Sequence, residues 1–289
     1  MSDQTNSDEQ KCDTSACSSC SVGNCSDRSA AAKPELEMVE GCSVKKVIGV
    51  VSGKGGVGKS LVTCMLACKL NSMGYKVGIL DSDVTGPSVP RAFGLTGPLL
   101  AEEKCILPAI SKNGIKVIST NLLLKEDDTP VIWRGPVVSN AIKEFFSEVK
   151  WDNLDFMLVD MPPGTSDALL TVFHNLPVDG IVTVSTPQDL VGMIVGKAVK
   201  VANQMEVPVL GLVENMSYFI CDECDKKHYI YGEPQAKAVC EKYGIDTISS
   251  LPMDSEFASK CDAGKIEEVD LTDKINEISQ RLDDLIKQA

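Results

Sequence analysis

The stretch Ser52-Gly53-Lys54-Gly55-Gly56-Val57-Gly58-Lys59-Ser60 combines the groups a polyphosphate needs, namely backbone N–H donors, a cation and a hydroxyl. Gly53, Gly55, Gly56 and Gly58 let successive N–H groups turn inward around phosphate oxygens. Lys59 is spaced to reach the β- and γ-phosphates and Ser60 to ligate Mg²⁺. The run follows apolar Val47–Val51 and precedes a helix-like stretch from Leu61 to Leu70, so a helix N-terminus adds its positive dipole end to the same anion. A tight strand-to-helix turn alone would not require a Lys-Ser pair at this position.

Lys54 sharpens the reading. A cation inside a glycine run has no packing role and cannot easily fold back onto its own phosphate, so it is expected to reach something else. Gly-Lys-Gly-Gly-Val-Gly-Lys-Ser resembles the deviant Walker A motif of the MinD/ParA/nitrogenase-iron-protein class. That resemblance implies an ATP-dependent homodimer in which Lys54 crosses to the partner's nucleotide. Leu61 stands where many relatives carry Thr, but Ser60 already supplies the hydroxyl.

Three further stretches supply polar groups at strand ends. Ile79-Leu80-Asp81-Ser82-Asp83 closes an apolar run, which puts both carboxylates at the carboxyl edge of a sheet, where open α/β folds bind ligands. The resemblance assigns Asp83 to the attacking water and the metal shell, with Asp81 in support. Leu158-Val159-Asp160-Met161-Pro162-Pro163-Gly164-Thr165-Ser166-Asp167 has the form of a Walker B strand and switch loop, with Asp160 holding Mg²⁺ through water and Gly164 near the γ-phosphate. Its prolines stop the strand and stiffen the loop. Asn215, in Gly211–Tyr218, is by its residue type either a turn former or a purine reader. The resemblance makes it the adenine contact.

The cysteines carry a second chemistry. Twelve thiols in a chain with no sign of export point to metal or redox work where they cluster. Cys12, Cys17, Cys20 and Cys25 are spaced C-x4-C-x2-C-x4-C in a segment with no core to pack, which favours metal binding over incidental thiols. Cys221-Asp222-Glu223-Cys224 is half of a tetrahedral Zn site or half of a [4Fe–4S] site, and a twofold axis through this loop would supply the other half. A redox dithiol is the competing reading, but its usual helix-start context is absent. Cys64, Cys68 and Cys240 lie in helix-like stretches as small buried residues, and Cys42, Cys105 and Cys261 receive no role. The two histidines, His174 and His228, sit in no arrangement with a nucleophile, which argues against a Ser-His-Asp or Cys-His hydrolase.

The elements that must position these groups are legible as alternation. Strands are expected near Val47–Val51, Lys76–Leu80, Lys116–Ser119, Phe156–Asp160, Gly180–Ser185, Pro208–Glu214 and Asp246–Ser250. Helices fall near Leu61–Met73, Val137–Val149, Ala168–His174, Val191–Met205 and Gln235–Tyr243, as in βαβ units. The fold expected is α/β, a single P-loop NTPase domain (residues 42–289) with a mostly parallel sheet and helices on both faces. A flexible cysteine-bearing tail (residues 1–41) precedes it, too polar to offset chain entropy by burial. Leu271, Ile275, Ile278, Leu282, Leu285 and Ile286 share one helical face, whose mixed-charge opposite side favours packing on the domain over membrane attachment.

With 28 basic against 41 acidic residues, the net charge of −13 argues against nucleic acid or anionic lipid as partner. The polar, acidic N-terminus and the absence of a bilayer-length apolar run lead to the expectation of a cytoplasmic protein.

Taken together, the deviant Walker A, Asp81-Ser82-Asp83 with Gly86-Pro87-Ser88, the Asp-Met-Pro-Pro-Gly-Thr switch, and Glu214-Asn215-Met216-Ser217 before Cys221-x2-Cys224 resemble the Mrp/ApbC family of iron–sulfur cluster carriers, from about Lys45 to Gly264. The resemblance implies a slow Mg²⁺-dependent ATPase, a homodimer with a [4Fe–4S] cluster between subunits, and apo iron–sulfur proteins as recipients. The tail is similar to that of the eukaryotic cytosolic scaffold relatives, whose first two cysteines are more widely spaced. Two alternatives share the nucleotide motifs. They are a MinD/ParA-type positioning ATPase, which leaves Cys221 and Cys224 unexplained, and an electron donor like the nitrogenase iron protein, which the motifs match less well.

Overall fold

The computed structural model describes residues 36–83, 86, 88–102, 105–123, 135–164, 167–187 and 191–288. Cys12, Cys17, Cys20, Cys25, Thr165 and Ser166 lie outside the described residues. In chain order the elements are β1 (Ser43–Ser52), α1 (Lys59–Ser72), β2 (Val77–Asp81), α2 (Val89–Ala92), β3 (Ala101–Glu102), β4 (Cys105–Ile106), β5 (Ala109–Ile110) and β6 (Lys116–Ser119). There follow α3 (Gly135–Ser147), β7 (Asn153–Asp160), α4 (Asp167–Asn175), β8 (Gly180–Ser185), α5 (Val191–Gln204) and β9 (Val209–Ile220). The chain continues through β10 (Lys227–His228), α6 (Ala236–Tyr243), β11 (Ile248–Pro252), α7 (Ser255–Asp262) and α8 (Asn276–Lys287).

One sheet runs β9-β8-β1-β7-β2-β6 in parallel, with β11 also parallel on β9. Only β5 on β6 and β10 on β9 pair antiparallel within it. The interior strands are apolar throughout because helices cover both faces, as parallel sheets require. β1 shows the division: Ile48 and Val50 enter a core built with α1, α2, α7 and α8, whereas Val47 and Val51 enter one built with α3, α4 and α5. β1 lies between β7 and β8, while the next strand in the chain, β2, lies beyond β7. The carboxyl ends of β1, β7 and β2 thus meet where connections diverge, the usual ligand crevice of this architecture.

All seven strands and five helices expected from the sequence are present, with bounds within a few residues of those anticipated except that β9 runs six residues past Glu214. The C-terminal helix differs: it begins at Asn276, because Ile275 adopts a left-handed φ of 56° and Leu271 lies in the preceding turn. Ile275, Ile278 and Leu282 are buried in the α1-side core, and Leu271, Leu285 and Ile286 pack against it, so the apolar face is occupied. Leu36 and Met38, assigned to the tail, are partly buried against the opposite core. Among the described residues no helix is long and apolar enough to cross a membrane.

Candidate nucleotide and metal site

Because β1 ends at Ser52, the glycine run emerges at the carboxyl edge and turns directly into α1. Gly56 and Gly58 have φ of 78° and 84°, left-handed values that glycine adopts without steric cost. A Cβ at Gly55 or Gly56 would meet nothing within 4 Å, so the loop's concave side has room for an anion. The N-terminus of α1 has no side-chain cap and no acidic residue in its first turn, leaving its N–H groups and dipole directed at that space. Ser52 Oγ donates to the Lys54 carbonyl at 3.0 Å and shapes the loop from within.

Around this loop the carboxylates converge as the strand ends dictate. Lys59 Nζ donates to Asp160 Oδ2 at 2.7 Å and lies 3.6 Å from Asp83 Oδ2. Ser60 Oγ donates to the same Asp160 oxygen at 2.6 Å, and Thr63 Oγ1 to the other at 2.8 Å. A hydroxyl and a carboxylate thus sit side by side as hard oxygen donors suited to Mg²⁺, beside a cation suited to phosphate. Asp81 stands behind them, accepting from Ser119 Oγ at 3.1 Å and from the Asp83 N–H at 3.2 Å. Burial, reinforced by the neighbouring Asp160 charge, pushes its carboxyl well above the usual range. That environment suits a supporting group better than a metal ligand.

The switch segment is tied to the loop at its base. Met161 N–H donates to the Val50 carbonyl at 3.1 Å and Gly164 N–H to the Ser52 carbonyl at 2.8 Å, with Gly164 at φ 90°. Ser82 closes the other side, donating through N and Oγ to the Asp160 carbonyl at 3.0 and 2.8 Å. Along β8, the buried hydroxyls of Thr183, Ser185 and Thr186 find no partner among the described residues, a polar lining at the same edge.

β9 joins this site to the cysteine pair. Asn215 Nδ2 donates to the Val57 carbonyl at 2.9 Å, and Gly58 must lack a Cβ because one would lie 2.2 Å from that nitrogen. Asn215 therefore pins the loop to β9 and keeps one amide hydrogen and its carbonyl oxygen for other partners. Beside it a cavity of about 390 Å³ is lined by Leu61, Asn215, Met216, Phe219, Pro252 and Phe257, an apolar slot next to the first turn of α1. Glu214, fully buried, accepts from Ser217 Oγ at 2.6 Å and from the N–H groups of Gln235 and Ala236 at 3.2 and 3.1 Å, anchoring α6 to the strand.

Beyond Asn215 the strand runs on to Ile220 and turns back as β10, pairing His228 with Phe219 and Lys227 with Ile220. Cys221 and Cys224 occupy the tip, closed by Cys221 N–H to the Lys226 carbonyl at 3.0 Å. The N–H groups of Glu223 and Cys224 donate to the Cys221 sulfur and hold its thiol below the ordinary range, as a metal-binding thiolate needs. The contrast with the scattered cysteines is sharp. Burial pushes Cys68 up to about 12 and Cys240 up to about 11, and raises Cys64 and Cys261 as well. No group of three or more His, Cys, Asp or Glu gathers as a metal site among the described residues.

Sequence reading missed Thr63, the slot-lining Pro252 and Phe257, and the Glu214 anchor. Thr63 alone left a signal, as a polar residue one turn from Lys59 in the otherwise apolar run 61–68.

With this geometry in hand, similarity to known proteins is informative. A family model described as NUBPL iron-transfer P-loop NTPase matches residues 43–289. An iron-sulfur cluster carrier protein of Clostridium perfringens is 47% identical over 234 residues, covering 78% of this chain and 82% of its own length. A nucleotide-binding protein from Archaeoglobus fulgidus, solved in complex with ADP, superimposes with a TM-score of 0.71 at 42% identity, covering 78% of this chain and 88% of that one. The cell division ATPase MinD of Pyrococcus furiosus shares the fold, with a TM-score of 0.60 at 18% identity over 83% of this chain and 99% of its own.

Proposed function

The chain belongs to the NUBPL iron-transfer P-loop NTPase family, and from that premise we propose that it binds and hydrolyses ATP while carrying a [4Fe–4S] cluster to apo iron–sulfur proteins. The observation that carries this reading is the single strand β9, which holds the glycine loop through Asn215 and six residues later presents Cys221 and Cys224. A nucleotide loop and half a cluster site on one strand suit a carrier whose cargo responds to nucleotide.

In this reading Gly53, Lys54, Gly55, Gly56, Val57, Gly58, Lys59 and Ser60 hold the phosphates. Ser60 and Asp160 hold Mg²⁺, Asp83 orients the attacking water, and the slot beside Asn215 takes adenine. Hydrolysis is slow, because among the described residues no strong general base faces the loop. Cys221 and Cys224 of two copies ligate the cluster. Cys12, Cys17, Cys20 and Cys25 hold a separate metal centre in residues 1–41, ahead of an ATPase domain from residue 42, and the protein works in the cytoplasm. A positioning switch on membrane or DNA would leave the cysteine pair without a role, and the apolar face of α8 is already buried in the core.

Anaerobic reconstitution tests the reading. The expected product is brown, contains iron with acid-labile sulfide, and passes its cluster to an apo-ferredoxin. A colourless protein holding only zinc overturns it.

Lys54 is assigned to the partner's nucleotide, and mixing variants checks the crossing. Lys54→Ala and Asp83→Ala should each bind ATP and hydrolyse it poorly. In a mixed dimer, one site regains wild-type Asp83 together with wild-type Lys54 only if Lys54 acts across the interface. Equal mixing should then restore about a quarter of wild-type turnover, since about half the dimers are mixed and each has one intact site of two. No recovery, with mixed dimers shown to form, counts against the crossing.

A further inference from the structure

The hairpin that carries the cysteine pair also carries an exposed apolar cluster with no role in any core. Of the ten large hydrophobic side chains exposed among the described residues, four lie here: Phe219 at 37%, Tyr229 at 40%, Ile230 at 60% and Tyr231 at 41%. Phe219 also lines the slot beside α1, but Tyr229, Ile230 and Tyr231 have no such second use. They follow β10 directly, at the base of the hairpin, in a turn closed by Gly232 N–H to the Tyr229 carbonyl at 3.2 Å. With His228 opposite Phe219, that position is two residues, about 7 Å along the strand, from Cys221, and Tyr229 follows one residue farther.

That placement decides what covers it. The cysteine pair is incomplete without a second copy, and a twofold axis through a shared cluster brings everything near the tip against its own symmetry mate. Charge gives this approach little drive. Each copy brings Asp222, Glu223 and Asp225 to the tip against Lys226 and Lys227, and the whole chain carries −13. Lys227 lies over the Tyr218 ring at 4.2 Å, across the hairpin of its own copy. An apolar contact beside the tip supplies the attraction that the charges do not.

We propose that Tyr229, Ile230 and Tyr231 form an apolar collar, buried by a second copy of this chain, that steadies the dimer and keeps water and competing chelators from the bridging cluster. The collar rests on the bridging reading above, and its test keeps the two separable.

The full chain carrying Cys12→Ser, Cys17→Ser, Cys20→Ser and Cys25→Ser is reconstituted with iron and sulfide, so that iron bound at the tail does not obscure the result. Ile230→Asp, Tyr231→Ser and the conservative Ile230→Val are made in this background. Sedimentation velocity reads the dimer, the ferrous chelator bathophenanthroline disulfonate reads access to the cluster, and ATP calorimetry confirms that the nucleotide site is intact. Ile230→Asp and Tyr231→Ser should weaken the dimer and speed iron capture by about tenfold or more, with ATP affinity unchanged and Ile230→Val close to the parent. Unchanged dimerisation and capture in both disruptive variants overturn the collar. So does a fall confined to transfer into apo-ferredoxin, which would assign the patch to recipients. If the parent retains its iron after Cys221→Ala and Cys224→Ala, the bridging reading itself fails and the collar with it.

Discussion

Lys59→Ala is expected to bind ATP about 30- to 1000-fold more weakly than wild type in a calorimetric titration, the equivalent of about 2–4 kcal/mol of charge-assisted bonding to the β- and γ-phosphates. The structure adds a second consequence. Lys59 is buried between Asp160 at 2.7 Å and Asp83 at 3.6 Å, so its removal leaves a fully buried carboxylate without its cation. Breaking one side of a buried pair typically costs about 3–5 kcal/mol of stability. Here the loss is softened because the Ser60 and Thr63 hydroxyls still donate to Asp160. Weak binding by the alanine variant therefore has to be separated from partial unfolding. Lys59→Gln does this, since its amide can still donate toward Asp160 while carrying no charge for phosphate. A Lys59→Gln protein with near-native thermal unfolding and wild-type ATP affinity would remove the phosphate assignment.

The parts of the site legible in the sequence are those whose determinants are local. The glycines, Lys59 and Ser60 act within one turn of chain, and Asp83 and Asp160 follow apolar runs whose length alone puts them at a sheet edge. The contacts that bind these pieces together are not local. Thr63 meets Asp160, Asn215 meets Val57, and Glu214 meets the start of α6 only because strand order and register bring them together. No periodicity in the chain encodes that order. The start of α8 is not legible for a related reason: the apolar spacing from Leu271 is helical, but Ile275 enters a left-handed conformation that spacing does not report. β9 is longer than expected because polar Asn215 and Ser217 face buried partners rather than marking a loop. Met216, at φ 56°, takes up the irregularity and the strand continues to the cysteines. β3, β4, β5 and β10 have two residues each, too few to carry a pattern.

The continuity of β9 underlies the other large effect. In the chain with its four tail cysteines changed to serine, Cys221→Ala with Cys224→Ala should abolish the brown absorbance of the reconstituted protein. The dimer formed without nucleotide should weaken by about two orders of magnitude or more, since metal–thiolate sites hold on the order of 10 kcal/mol that the two copies share. Nucleotide binding should persist, because both cysteines lie beyond Asn215 and outside the glycine loop. Zinc would satisfy the same four sulfurs and clamp the same dimer, so colour and acid-labile sulfide in the parent, rather than dimerisation, separate cluster from structural metal. The buried cysteines are poor substitutes. Cys64, Cys68, Cys240 and Cys261 all have raised thiol pKa values from burial, so at neutral pH they stay protonated, whereas the Cys221 thiol is lowered by two backbone N–H groups. A double variant that still takes up the same iron per dimer would mean that some of the scattered cysteines, Cys42 and Cys105 among them, are ligands. In that case the hairpin tip is not the bridge, and β9 connects the nucleotide to something other than the cluster.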